Sequence, residues 1–161
     1  MDEVKQLARS LDIIASRCPH GLAALVGEAP PPCRDELVAA ATWRPSGEVP
    51  HVPGPQDGDP LTAKVDLIVR LTAPIERATW PAIQAAGREV KTLFPADWEA
   101  YRLHVTYIDD PVQWRASDES TLARIAARLG VSVQTVSRRR EEVPLRIARA
   151  ALTGVQQTIP F

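Results

Sequence analysis

"GVSVQTVSRRRE", residues 130–141, decides how this chain is read. Gly130 stands where a chain leaving a helix turns cheaply through left-handed backbone. Val131 is placed to tuck back, and Ser132 is a good N-cap for a new helix. Three consecutive arginines, Arg138, Arg139 and Arg140, follow within that helix. The stretch reads either as the edge of a DNA-binding helix or as a solvated basic helix.

The residues before it favour two packed helices. "SDESTLARIAARLG" (117–130) offers Ser117 or Asp118 as a cap, with Asp118 and Glu119 at the positive end of the helix dipole. Leu122, Ile125, Ala126 and Leu129 fall on one face, and Val136 of the next helix points at it. A small residue at Ala126, a glycine four on and an apolar valine six beyond are what a helix-turn-helix needs. The same pattern also packs any helical hairpin. Three adjacent arginines cannot all face one way, so some meet solvent or pair with Glu141 and Glu142.

"LARIAARLGVSVQTVSR" (122–138) resembles the helix-turn-helix of the lactose-repressor family over about twenty residues. The resemblance implies that Val133 and Gln134 meet base edges in double-stranded DNA and that Arg138 also reaches the major groove. It further implies that Ser132, Thr135 and Ser137 contact phosphate or sugar. Glutamine suits adenine, arginine suits guanine, and a short apolar side chain suits the thymine methyl. Arg139 and Arg140 extend the same basic edge. Two departures stand out: the motif lies near the C-terminal end of this sequence, and Arg139 replaces an aliphatic residue. "VPLRIARAAL" (143–152), broken by Pro144, is therefore expected to form a third helix folding back. That placement resembles the sigma-factor region-four tails of small phage regulators.

Charge is distributed to match. From Arg115 onward eight arginines face four carboxylates, a net of +4, which leaves −5 on residues 1–114 of a chain whose net charge is −1. A basic end behind an acidic body is expected where one end meets a polyanion.

The rest of the sequence reads as mainly α. Val4, Leu7, Leu11, Ile14 and Ala15 predict a helix over 3–16, weaker helices follow at 22–27 and 35–43, and Asp59–Pro60 and Thr79–Trp80–Pro81 look like helix starts. "LHVTYID" (103–109) alternates enough to read as a strand, although helix is preferred. Residues 44–60, with five prolines and three glycines, read as an extended loop or linker. The expected division is an N-terminal helical segment (1–43), that loop (44–60), a helical body for dimerisation or partner binding (61–114) and a tri-helical helix-turn-helix module (115–161).

No catalytic motif appears, so no enzyme, cofactor or metal is expected. Cys18, His20, Cys33 and His51 are the only conceivable zinc set, and they lack close CxxC pairs. Asp109, Asp110 and Glu99 read as solvated acids. No apolar run reaches membrane-span length and "MDEVKQLARSLD" lacks a signal-peptide pattern, so a cytoplasmic location is expected. Trp43, Trp80, Trp98 and Trp114 read as core, or as anchors on a protein-binding face. The expected function is a sequence-specific DNA-binding transcription regulator, phage or mobile-element encoded and homo-oligomeric. An antiterminator contacting RNA polymerase, a DNA-recognition subunit of a packaging or recombination complex, and a protein-binding adaptor are the competing readings.

Overall fold

A computed structural model describes residues 2–43, 60–108 and 121–158, and these are mainly helical with no strand among them. The Pro-rich stretch up to residue 59, the expected cap at Ser117 or Asp118, Trp114, His51, Asp109 and Asp110 lie outside the described residues. So does the expected boundary at 114/115.

The first helix, α1 (Glu3–Arg17), begins where the Asp2 carboxylate accepts the Val4 N–H at 3.1 Å. Its buried face is Leu7, Leu11, Ile14 and Ala15, the stripe that the spacing predicts. Two short helices follow, α2 (Gly21–Leu25) and α3 (Arg34–Thr42). Then come α4 (Pro60–Ala78), α5 (Trp80–Leu93) and α6 (Pro95–Ile108). The stretch 103–108, with its strand-like alternation, continues α6: Leu103 and Val105 are both buried although only two residues apart, because α6 packs on more than one side.

Pro74 lies inside α4 and removes the amide that would bond the Arg70 carbonyl. The buried Ser10 hydroxyl reaches that carbonyl instead, at 3.5 Å. Gly87 is needed for a different reason: a Cβ there would lie 1.8 Å from the Leu25 carbonyl oxygen, so α5 crosses the end of α2 only without a side chain.

The last two helices are α7 (Thr121–Leu129) and α8 (Val133–Thr158). Here the structure corrects the sequence reading: no separate third helix starts at Pro144, and α8 runs through it as one helix of 26 residues. Proline inside a helix costs about 3 kcal/mol. Val143, Ile147, Ala148 and Ala151 are all buried around it, and fully burying a Val or Ile side chain contributes about 1.5–3 kcal/mol. Two such side chains offset the break.

Two cores result. The larger joins α1, α2, the end of α4, α5 and α6 to the second half of α8, through residues such as Leu11, Ile14, Ile83, Tyr101 and Ile147. Tyr101 is fully buried and its hydroxyl donates to the Asp12 carboxylate at 2.7 Å, tying α6 to α1. The smaller core holds Leu103, Ile125, Ala126 and Val136, with Leu122, Leu129 and Val131 packed against it. Its third helix is α6, through Leu103. Trp98 is buried, Trp80 packs on the larger core, and Trp43 is exposed with the Arg17 guanidinium 5.0 Å over its ring.

No helix among the described residues is long and apolar enough to cross a membrane. Cys18 and Cys33 are free, and burial followed by the Glu36 charge pushes the Cys18 thiol up to about 11. No three His, Cys, Asp or Glu side chains among the described residues gather around a common point.

Candidate nucleic-acid interface

The turn between α7 and α8 is three residues long. Gly130 takes φ +69°, a conformation open to glycine at little cost, and a Cβ there would meet nothing within 4 Å. Backbone conformation, not space, is what asks for glycine. The Val131 N–H then donates to the Ala126 carbonyl at 3.1 Å, closing the end of α7.

Ser132 caps α8. Its hydroxyl accepts the Thr135 N–H at 3.2 Å and lies 2.9 Å from the Thr135 hydroxyl, while its carbonyl accepts the Val136 N–H. The first amides of the helix, Val133 and Gln134, have no intrahelical partner and sit at the positive end of the dipole.

Beyond the cap, helical periodicity sorts the side chains. Ser132, Val133, Gln134 and Arg138 are exposed, Val133 by 42%, with Thr135 and Ser137 half-buried beside them. Gln134, Ser137, Arg138 and Glu141 share the outward face, and Val136 turns into the small core. Val133 to Arg138 covers about 7.5 Å along the axis at the usual rise of 1.5 Å per residue. That is roughly two base steps of one DNA strand. The outward edge thus offers an apolar group, an amide with a donor and an acceptor, and a guanidinium.

The other two arginines face inward. Arg139 pairs with Asp97 of α6, Nε to Oδ1 at 3.6 Å. Arg140 donates from Nη1 to His104 Nε2 at 3.2 Å and lies 3.9 Å from Glu141. Arg138 shows no ion pair among the described residues. The three arginines are therefore one outward group and two that fasten α8 to α6.

His104 and Asp97 carry no sequence signal for this role, because they lie 36 and 42 residues from their partners. A guanidinium only donates, so His104 accepts at Nε2 and carries its proton on Nδ1, which is buried without a hydrogen-bond partner. Burial first, then the Arg140 charge, lowers the His104 pKa from 6.5 to about 4, so the ring stays neutral at neutral pH.

Asp97 also forms an ion pair with Arg146, Nε to Oδ2 at 3.5 Å, and the Arg146 guanidinium lies 3.8 Å over the Phe94 ring. Nearby, hydrogen bonds from Arg102 hold the Glu99 carboxyl below its usual range despite some burial, helped by the Arg128 charge on α7.

Comparison with protein-family models, with characterised proteins and with solved structures returned no match.

Proposed function

We propose that α7, the Gly130–Ser132 turn and the first turns of α8 act as a helix-turn-helix that reads the major groove of double-stranded DNA, in a sequence-specific transcription regulator. The observation that carries this reading is the sorting at the start of α8. Val133, Gln134 and Arg138 face outward from a capped helix end, while Arg139 and Arg140 are used to hold that helix on the body. In the proposed complex Gln134 pairs with adenine, Arg138 with guanine and Val133 with a thymine methyl. Ser132, Thr135 and Ser137 approach the backbone and fix the register.

Selection of bound duplexes from a random DNA pool tests this, with wild type and Arg138→Ala in parallel. Wild type should enrich a defined motif. Arg138→Ala should weaken specific binding by about 1–3 kcal/mol and relax the preference at one base pair. Equal loss on enriched and random DNA, with the salt slope reduced by about 1, would assign Arg138 to a phosphate instead. Recovery of no motif even at low salt would remove the DNA reading.

A further inference from the structure

Residues 1–114 carry a net charge of −5, yet four of their eleven basic side chains line one cavity. It lies between α1 and α4, with Ala41 of α3 at its edge, and its volume is about 630 Å³, within the usual range of small-molecule sites. Arg9 and Arg17 line it from α1, Arg70 and Arg77 from α4, and Asp12 is the one carboxylate among the lining residues. Spacing explains the arrangement. Arg9, Ile13 and Arg17 follow at intervals of four, and Arg70, Pro74 and Arg77 at four and three. Each helix thus sets two arginines on either side of an apolar residue on one face.

The two helices run antiparallel. The Ser10 hydroxyl meets the Arg70 carbonyl, and Arg77 donates from Nη2 to Gln6 Oε1 at 3.0 Å. In that register the arginines alternate between the helices in the order Arg77, Arg9, Arg70, Arg17, spread over about 18 Å at 1.5 Å per residue. Successive cations are therefore about 6 Å apart on average along the groove. The outer two are engaged, Arg77 with Gln6 and Arg17 with the Ala40 carbonyl and the Trp43 ring. The inner guanidiniums, Arg9 and Arg70, make no hydrogen bond or ion pair among the described residues. Like charges gathered round a partly apolar cavity repel one another, and a bound anion relieves this.

We propose that this cavity binds a phosphorylated small molecule, with its negative charges held across Arg9 and Arg70 and an apolar body against Ile13 and Pro74. Guanidinium matches phosphate oxygens two at a time. No aromatic side chain lines the cavity, so a single strand of nucleic acid would find no platform on which to stack its bases. The chain's own acids are a poor substitute. Residues 44–59 supply three carboxylates against Arg44, and one of these, Asp59, adjoins the start of α4, about 16 Å along the axis from Arg70. That leaves Glu48 and Asp57, offset by Arg44, against four guanidiniums. Residues 109–120 join α6 to α7, neither of which lines the cavity, and residues 159–161 carry no acidic side chain. The site belongs to α1 and α4, and the proposal does not depend on the DNA reading.

Isothermal titration calorimetry of the full chain at low salt, without divalent cations, tests this. The probes are tripolyphosphate, pyrophosphate, orthophosphate and phenyl phosphate. Tripolyphosphate should bind one to one and below the millimolar range, and affinity should fall with each phosphate removed, because fewer arginines are reached. Phenyl phosphate should bind more tightly than orthophosphate, because its ring adds apolar contact. Arg9→Gln and Arg70→Gln, both at exposed side chains with no partner to lose, should keep their helical circular dichroism and weaken tripolyphosphate binding at least fivefold each. Arg88→Gln on α5 and Arg138→Ala at the start of α8 should bind like wild type. Absence of binding at about 2 mM tripolyphosphate, equal loss in Arg88→Gln or Arg138→Ala, or binding that survives both cavity variants would overturn the proposal. So would phenyl phosphate that binds no better than orthophosphate. Binding that appears only after Glu48→Gln and Asp57→Asn would make residues 44–59 the occupant, and displacement by a single-stranded oligonucleotide at lower phosphate concentration would make nucleic acid the ligand; either would also overturn it. Failure to enrich a DNA motif would leave these titrations unchanged, so the two proposals fail separately.

Discussion

Ile125 and Ile147 are both fully buried isoleucines, yet replacing each by alanine should have opposite reach through the molecule. Each change deletes three methyl or methylene groups, about 2.4 kcal/mol of transfer free energy at ~0.8 kcal/mol each. A cavity term adds to this, and it depends on how far the surroundings collapse. Ile147 lies among residues of α1, α5 and α6 that are themselves buried, so its cavity should persist and the total should approach about 4 kcal/mol. Among the described residues Ile125 shares its small core with three other buried ones, and Leu122, Leu129 and Val131 at its edge are free to move in. Its loss should stay nearer about 2.5 kcal/mol.

Reach follows from the path of α8. Its first turns belong to the small core and its second half to the large one, so the start of α8 rests on the body while the body does not rest on α7. In Ile147→Ala the melting temperature should fall by roughly 10 °C, taking 2–4 °C per kcal/mol for a chain of this size. Hydrogen-exchange protection should drop across α1, α5 and residues 121–137 alike. In Ile125→Ala protection should drop over 121–137 while α1 and α5 keep theirs. Exchange measured by mass spectrometry on overlapping peptides distinguishes the two. Undiminished protection of 121–137 in Ile147→Ala, or an equal loss in α1 and α5 in Ile125→Ala, would refute this division into a body and a dependent edge.

Two further outcomes follow from single groups. Ser132→Ala removes the hydroxyl that accepts the Thr135 N–H and should cost about 1 kcal/mol of stability, measured by urea titration; an unchanged midpoint would mean that water caps α8 equally well. His104 has a folded pKa of about 4 against 6.5 unfolded, so the unfolded chain binds the extra proton first as pH falls. Its contribution is complete above pH 6.5, is lost between 6.5 and about 4, and is flat below. The stability gap between wild type and His104→Gln should therefore shrink on acidification through that window, and a constant gap would show that His104 is not held neutral.

Much of this architecture is legible in sequence because local chemistry writes it. The Leu7–Leu11–Ile14 stripe, proline at the start of α4 and Gly130 before Ser132 each act within a few residues of the signal. The coarse expectation of a mainly helical chain rests on such features. What was not legible depends on tertiary contact. Pro144 looked like a break because its local cost is visible in sequence, whereas the burial of Val143 and Ile147 that offsets it is not. Arg139 and Arg140 looked equivalent to Arg138 because nothing nearby reveals Asp97 or His104.

These contacts gather where α8 is weakest. Pro144 withholds the amide that would bond the Arg140 carbonyl, so the helix ladder is interrupted between the first turns of α8 and its core-packed half. Asp97 takes Arg139 on one oxygen and Arg146 on the other, two turns apart and on opposite sides of that interruption. His104 holds Arg140, the residue whose carbonyl is left over. Partly exposed ion pairs add little stability as a rule, on the order of 1 kcal/mol or less. Their use here is geometric: α6 spans the interrupted turn and sets the direction in which Val133, Gln134 and Arg138 are presented. On the proposed reading, a surface that meets base edges within a fraction of an ångström needs its supporting side chains locked in this way. The two arginines missing from the outward face are thus part of what aims it.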